Sequence, residues 1–174
     1  MKKESKIKWI ITVLLLSFAL SIIMSLGSNV IIPNINIYVG IVIIIVFIAI
    51  SILFDMIGVA ITAAEERPFH SMASKKVKGA SHSVKFLKNS DKLASICNDV
   101  IGDVCGVVSG SAGVLVSSTL ANMLNKDLSI VVLIVTAIIA SLTITGKALG
   151  KSIAIKNSEK ITFRVGKIVS IFKK

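Results

Sequence analysis

From Trp9 to Phe54 the chain runs for 46 residues without a charged side chain. A transmembrane helix needs roughly 20 consecutive, mostly apolar residues, so this run is long enough for two spans. A soluble domain requires a polar shell, and a chain that is 54% apolar with a mean hydropathy of +0.89 has too little to build one. Disorder, a collagen-like chain, a disulfide scaffold and an ordinary cytosolic enzyme are excluded on the same grounds. Cys97 and Cys105 make no disulfide framework and read as small buried hydrophobes. The composition predicts an all-α integral membrane protein.

Four segments meet the length criterion: about Trp9 to Leu26, Tyr38 to Ala64, Leu93 to Met123, and Leu128 to Leu149. The third is rich in Gly, Ser, Asp and Asn, so the other helices should shield it from lipid. The first resembles a signal peptide in its Met1-Lys2-Lys3 start. Its core is long, however, and Ser25-Leu26-Gly27 is its one plausible cleavage point, so we read it as a retained span.

The basic residues set the topology. The N-terminal tail holds Lys2, Lys3, Lys6 and Lys8. The loop after the second span holds Arg67, Lys75, Lys76, Lys78, Lys85, Lys88 and Lys92. The C-terminal region, from Lys147 to Lys174, holds eight more, so these regions carry 19 of the 20 Lys and Arg residues. With four crossings all three share one side, and the positive-inside rule makes it the cytoplasm. Both termini are then cytoplasmic in a protein of the cell membrane. The net charge of +11 orients the helices and faces anionic headgroups. Nucleic acid is a poor partner, because the charge is split among three segments and aromatic residues make up only 5%.

Two cytoplasmic segments have helical texture. Val77, Ala80, Val84 and Leu87 follow a three/four spacing, predicting an interfacial helix over 69–90, with Pro68 as a break and Asn89-Ser90-Asp91 as caps for the third span. Ile161, Val165, Ile168, Val169 and Phe172 form a second stripe, favouring an amphipathic helix over 157–173 rather than a strand at 161–165. His70 and His82 read as solvated interfacial residues, since one histidine alone defines no metal site.

The polar residues inside spans are the informative ones. Asp55 interrupts the second span, and Asn98, Asp99 and Asp103 interrupt the third. Each ionisable group costs at least ~2.5–3.5 kcal/mol there, so a burial facing the bundle and a partner are expected. Two readings stay open. The acids with Asn98 and Ser95 supply oxygen ligands for a hard cation or a proton pathway, or they are protonated or paired with Lys147. Asn98, Gly102, Gly106 and Gly110 recur every fourth residue, and Gly146 and Gly150 repeat the pattern. Such small-residue ridges serve packing within the chain or a homodimer interface. No nucleophile–base pair, phosphate-cradling loop or metalloprotease motif is present, so the chain does not read as an enzyme.

Three stretches resemble the transmembrane domain of the cyclin-M/CorC magnesium-transport family. Phe54–Ala63, FDMIGVAITA, is similar to F-S-x-S-E-x-A-L-T-S. Val84–Ser95, VKFLKNSDKLAS, is similar to V-L-x-L-L-x-N-P-D-R-L-L-S. Gly146–Lys156, GKALGKSIAIK, followed by Asn157-Ser158-Glu159-Lys160, is similar to G-E-[IVL]-x-P-K-x-[LI]-A-x-x-N-P-E-[RK]. The resemblance covers roughly residues 38–172 and implies a three-span domain over 38–174, preceded by an added unit over 1–37 comprising the tail, the first span and an external loop. It also implies homodimers and divalent-cation transport, with Mg2+ as the candidate ion.

The departures fall on the chemistry. Where the family has paired serines and a glutamate, this chain has Asp55, Ile57 and Gly58. Where the family keeps G-E-x-x-P, this chain has Gly146, Lys147 and Gly150, and a cation there repels a divalent ion. The family's G-N pair is nearest to Gly102-Asp103, offset. The chain ends at Lys174, as in a short, divergent member without regulatory domains. The expected function is ion transport or homeostasis with a degenerate site at Asp55, Asn98, Asp99 and Asp103, and Lys147 as counter-ion. The alternative is a non-transporting scaffold or regulatory subunit that keeps the fold.

Overall fold

The structure, a computed structural model, describes residues 3–31 and 36–172, apart from the side chains of residues 3–6, 29, 31 and 172. The charges of Lys2, Lys3, Lys6, Lys173 and Lys174, the Phe172 side chain and most of the first external connection lie outside the described residues. The described residues are helical, with no strand among them. In chain order they are α1 (Lys3–Ile31), α2 (Ile37–Ala63), α3 (Glu66–Ser74), α4 (Ala80–Lys88), α5 (Ser90–Ser95), a π-helical segment (Ile96–Gly102), α6 (Asp103–Leu124), α7 (Leu128–Lys156) and α8 (Ser158–Phe172). Four stretches are long and apolar enough to cross a membrane: Ile7–Ser28, Ile37–Ala63, Ser90–Leu124 and Leu128–Lys156. The third is the most buried of them, as its polar content requires.

The fold divides into two compact units. The first comprises the chain up to Ile52 together with Val100–Gly146. Its core joins Ile44 and Ile48 of α2, Ala112 and Val116 of α6, and Ile139 of α7. In α6 the buried residues recur as adjacent pairs every fourth position: Val104-Cys105, Val108-Ser109, Ala112-Gly113 and Val116-Ser117. In lipid, helices gain little by hiding apolar surface from each other, so close approach and dispersion hold them together. Gly113 shows this, because a Cβ there would overlap the Ile139 side chain, and Gly146 meets Ile52 in the same way. The α1 helix packs along α6. At the α6–α7 connection, Asn125 ends α6 in the left-handed conformation, and Asp127 Oδ1 accepts the Ser129 amide at 2.8 Å to cap α7.

The second unit comprises Leu53–Asp99 and Lys147–Lys174. The helix expected over 69–90 is two helices, because the backbone reverses between them: Lys76 and Gly79 both have positive φ, 56° and 94°. Val77 therefore sits in a turn, off any helical stripe. The break expected just after the second span is present, between Ala63 and Glu66, and Pro68 stands just past it. This proline occupies the first turn of α3, where its missing N–H costs nothing. Asn89 precedes α5 as expected but makes no side-chain cap there; its Nδ2 donates back to the Lys85 carbonyl at 3.1 Å, finishing α4.

The apolar side of α4 does not lie free on a membrane. Ala80, Ser83 and Leu87 are buried, and α4 packs against α3 and α8. The contacts Gly79–Lys167 and Ser83–Gly166, with Ser83 Oγ donating to the Thr162 carbonyl at 3.3 Å, run in opposite chain directions and make an antiparallel crossing. Both glycines are needed. A Cβ on Gly79 would strike the Lys167 backbone, and one on Gly166 would strike Ser83 Oγ.

Gly79→Ala combines a left-handed backbone, worth about 1–2 kcal/mol, with a clash against main chain. We expect a lowered thermal midpoint in detergent and faster proteolysis of α8. Gly27→Ala, with open space around its Cβ position in α1, should be neutral or stabilising by up to about 1 kcal/mol.

Candidate cation centre at a π-helical turn

The third span does not enter as regular α-helix. Residues Ile96–Gly102, ICNDVIG, form a π-helical segment between α5 and α6. A π turn carries an extra residue, shifts carbonyls out of the i→i−4 ladder, and occurs disproportionately at functional sites. In the first unit the Gly102 carbonyl is taken by buried Ser51, whose Oγ donates to it at 2.6 Å. This hydrogen bond joins α2 to the end of the π-helical segment.

In the second unit the same segment meets α2 again. The Asn98 amide lies directly on the Gly58 backbone, so that any Cβ at residue 58 would overlap Asn98 Oδ1. That oxygen is buried and has no hydrogen-bond partner, one of three such side-chain atoms among the described residues, with His82 Nδ1 and Thr162 Oγ1. An unsatisfied buried acceptor costs about 1–3 kcal/mol, and in native structures it calls for a reason such as an ion or water. Asp55 lies three residues before Gly58, on the same side of α2, and is half-buried. Asn98 and Asp55 are thus the two predicted residues that the second unit brings to one locality.

The other predicted residues fall elsewhere. Asp99 is exposed on the second unit, and Asp103 is exposed on the first, so the expected burial of these two acids does not occur within a single chain. For Asp103 the reason lies in the face of α6 that it occupies. On α6, Val107 and Val114 are 56% and 43% exposed, and added Cβ atoms at Gly106 and Gly110 would meet nothing within 4 Å. The predicted glycine ridge therefore splits, with Gly102 buried and Gly106 and Gly110 facing open space. Asp103 and Lys147 each take part in an interaction within the chain, and Lys147 is half-buried. Gly146 and Gly150 serve packing, Gly150 being buried. Cys97 and Cys105 are free thiols, half-buried and buried respectively.

Among the described residues no three His, Cys, Asp or Glu side chains converge as a metal-binding group. A hard cation at this turn would need a mixed oxygen set of amide, carboxylate and water. That set suits Mg2+, which keeps several waters and takes one or two carboxylates. Sequence reasoning missed Ser51, Gly58 and the π turn. The available signal was Ser51 and Asp55 as polar residues, one helical turn apart, in an otherwise apolar run.

No curated protein and no solved structure matches the chain. The family model described as the cyclin M transmembrane N-terminal domain matches residues 41–174. The match takes in α7, α8, nearly all of α2 and every element between them, and leaves out α1. The chain belongs to the cyclin-M transmembrane family.

Proposed function

We propose that this protein is a homodimeric membrane module for divalent-cation transport or homeostasis, with a Mg2+-type ion visiting the π-helical turn. The family is associated with divalent-cation transport and homeostasis, and its domain is of a transport type rather than an enzymatic one. The observation that carries the reading is the buried, unpartnered Asn98 Oδ1 beside Gly58 and one turn from Asp55. A hydrated hard cation relieves that acceptor and balances the Asp55 charge. The N-terminus, the α3–α5 region and α8 lie on the cytoplasmic side, following the distribution of Lys and Arg.

A second copy covers the open face of α6. Support comes from Val107 and Val114, exposed on that face, and from the empty space at Gly106 and Gly110. Small residues there let two helices approach closely.

The non-transporting scaffold is favoured by one feature, Lys147, which stands where the resembling family keeps an acid. In that reading Lys147 neutralises an acid and no ion is needed.

Flux of Mg2+ into proteoliposomes carrying an internal dye should be measurable for the parent and reduced at least about tenfold in Asn98→Leu, which removes a ligand oxygen, and in Asp55→Asn, which removes the balancing charge. If the parent and a Lys147→Glu variant both fail to bind or move any divalent cation, the transport reading is wrong and the scaffold stands. In that case Asp99→Asn with Lys147→Met should destabilise less than the sum of the single changes, and additive values would refute the pairing. For the dimer, Gly106→Leu should shift the protein toward monomer by light scattering while its own helices stay folded. Val107→Cys, in a background without Cys97 and Cys105, should cross-link two copies.

A further inference from the structure

The outward side of α8 is unlike the rest of the second unit. At about 100° per residue, buried Thr162 and Gly166 face α4, the opposite arc carries Lys160, Arg164, Ile168 and Ile171, and Lys167, whose backbone meets Gly79, stands at its edge. All five are exposed, the two isoleucines at 54% and 60%. The crossing at Gly79 sets the Lys75–Gly79 turn against Lys167, and this turn adds exposed Lys75, Lys76, Lys78 and Val77. Apart from His70–Glu66 at 3.5 Å, no ion pair is formed by these helices' exposed charges among the described residues. The turn holds Lys76 in a left-handed backbone, φ 56°, which costs a non-glycine residue about 1–3 kcal/mol.

We propose that this surface, the outer arc of α8 with the Lys75–Gly79 turn, binds the headgroups of anionic phospholipids, with Val77, Ile168 and Ile171 entering the upper acyl layer. Three features select lipid as the occupant. The apolar residues are interspersed with cations instead of gathered into a patch, which suits a plane of phosphates over hydrocarbon. Charge complementarity is one-sided, since the arc and the turn contain no acid. The α8 helix starts at Ser158, two residues after α7 ends at Lys156, so the span itself holds this surface at a bilayer, where effective headgroup concentration is high.

The test uses the full chain in detergent, titrated with phosphatidylglycerol or phosphatidylcholine and followed by thermal unfolding. Phosphatidylglycerol should raise the midpoint and phosphatidylcholine should not, with the difference shrinking as salt rises from about 50 mM to about 500 mM. A Lys78→Gln, Arg164→Gln, Lys167→Gln triple variant should lose about 100-fold in phosphatidylglycerol affinity. The charge-keeping Lys78→Arg, Lys167→Arg variant should retain it, which separates lost charge from lost fold. Ile168→Ser with Ile171→Ser should weaken binding without removing its salt dependence. Equal stabilisation by both lipids, or an unchanged response in the triple variant, overturns the proposal. Stabilisation by polyglutamate but not by phosphatidylglycerol also overturns it and assigns the surface to an acidic protein.

Discussion

Hydrocarbon offers no hydrogen-bond partner, and the architecture of this chain follows from that constraint. Hydroxyls within the spans turn back on their own helices: Thr12 to the Lys8 carbonyl, Ser117 to Gly113, Thr136 to Val132 and Thr143 to Ile139. Serine and threonine are tolerated at membrane depth because each closes a local bond of this kind. Ser51 differs in reaching across to the Gly102 carbonyl. The carbonyl that it reaches closes the π-helical segment, whose wider turn departs from the regular i→i−4 ladder. Asn98 is the converse case, an acceptor held against bare backbone at Gly58 with nothing to receive from. Of the three buried unpartnered side-chain atoms among the described residues, it is the one inside a candidate membrane span, and such an acceptor is the place for an exogenous partner.

The membrane class, the four spans and the C-terminal helix were legible in the sequence, since uncharged length and the spacing of Ile161, Val165 and Ile168 are one-dimensional quantities. The family was legible from three short motifs in order. The break at Lys75–Gly79 was not, because Val77, Ala80, Val84 and Leu87 mimic a continuous stripe and Lys76 is a poor advertisement for a left-handed backbone. Gly79 was the one available hint.

The candidate site was legible by residue type but not by arrangement. Asp55 and Asn98 stood out as polar residues in apolar runs, and the structure sets them in one locality. Asp99 and Asp103 stood out equally, yet each is exposed on its own unit. A sequence does not show which side of a polar helix its own chain covers, and the i, i+4 relation of these two acids holds whether they point inward or outward. The π turn is likewise silent in composition. Gly58 carried no distinguishing pattern, and its meaning depends on what faces it.

The junction between α7 and α8 is nearly seamless. Asn157 donates both its amide and its Nδ2 to the Ile153 carbonyl, each at about 3 Å, and its own carbonyl accepts the Ile161 amide. Helix α8 is in turn clamped to α4 through the two glycines. Span four therefore ends in a stiff arm of 15 residues, roughly 22 Å long at helical rise. A tilt of about 10° at its base carries the far end about 4 Å, by the same rise. Any reorientation of the C-terminal end of α7 would therefore be carried into the second unit as a displacement of α8 and of the α4 turn clamped to it.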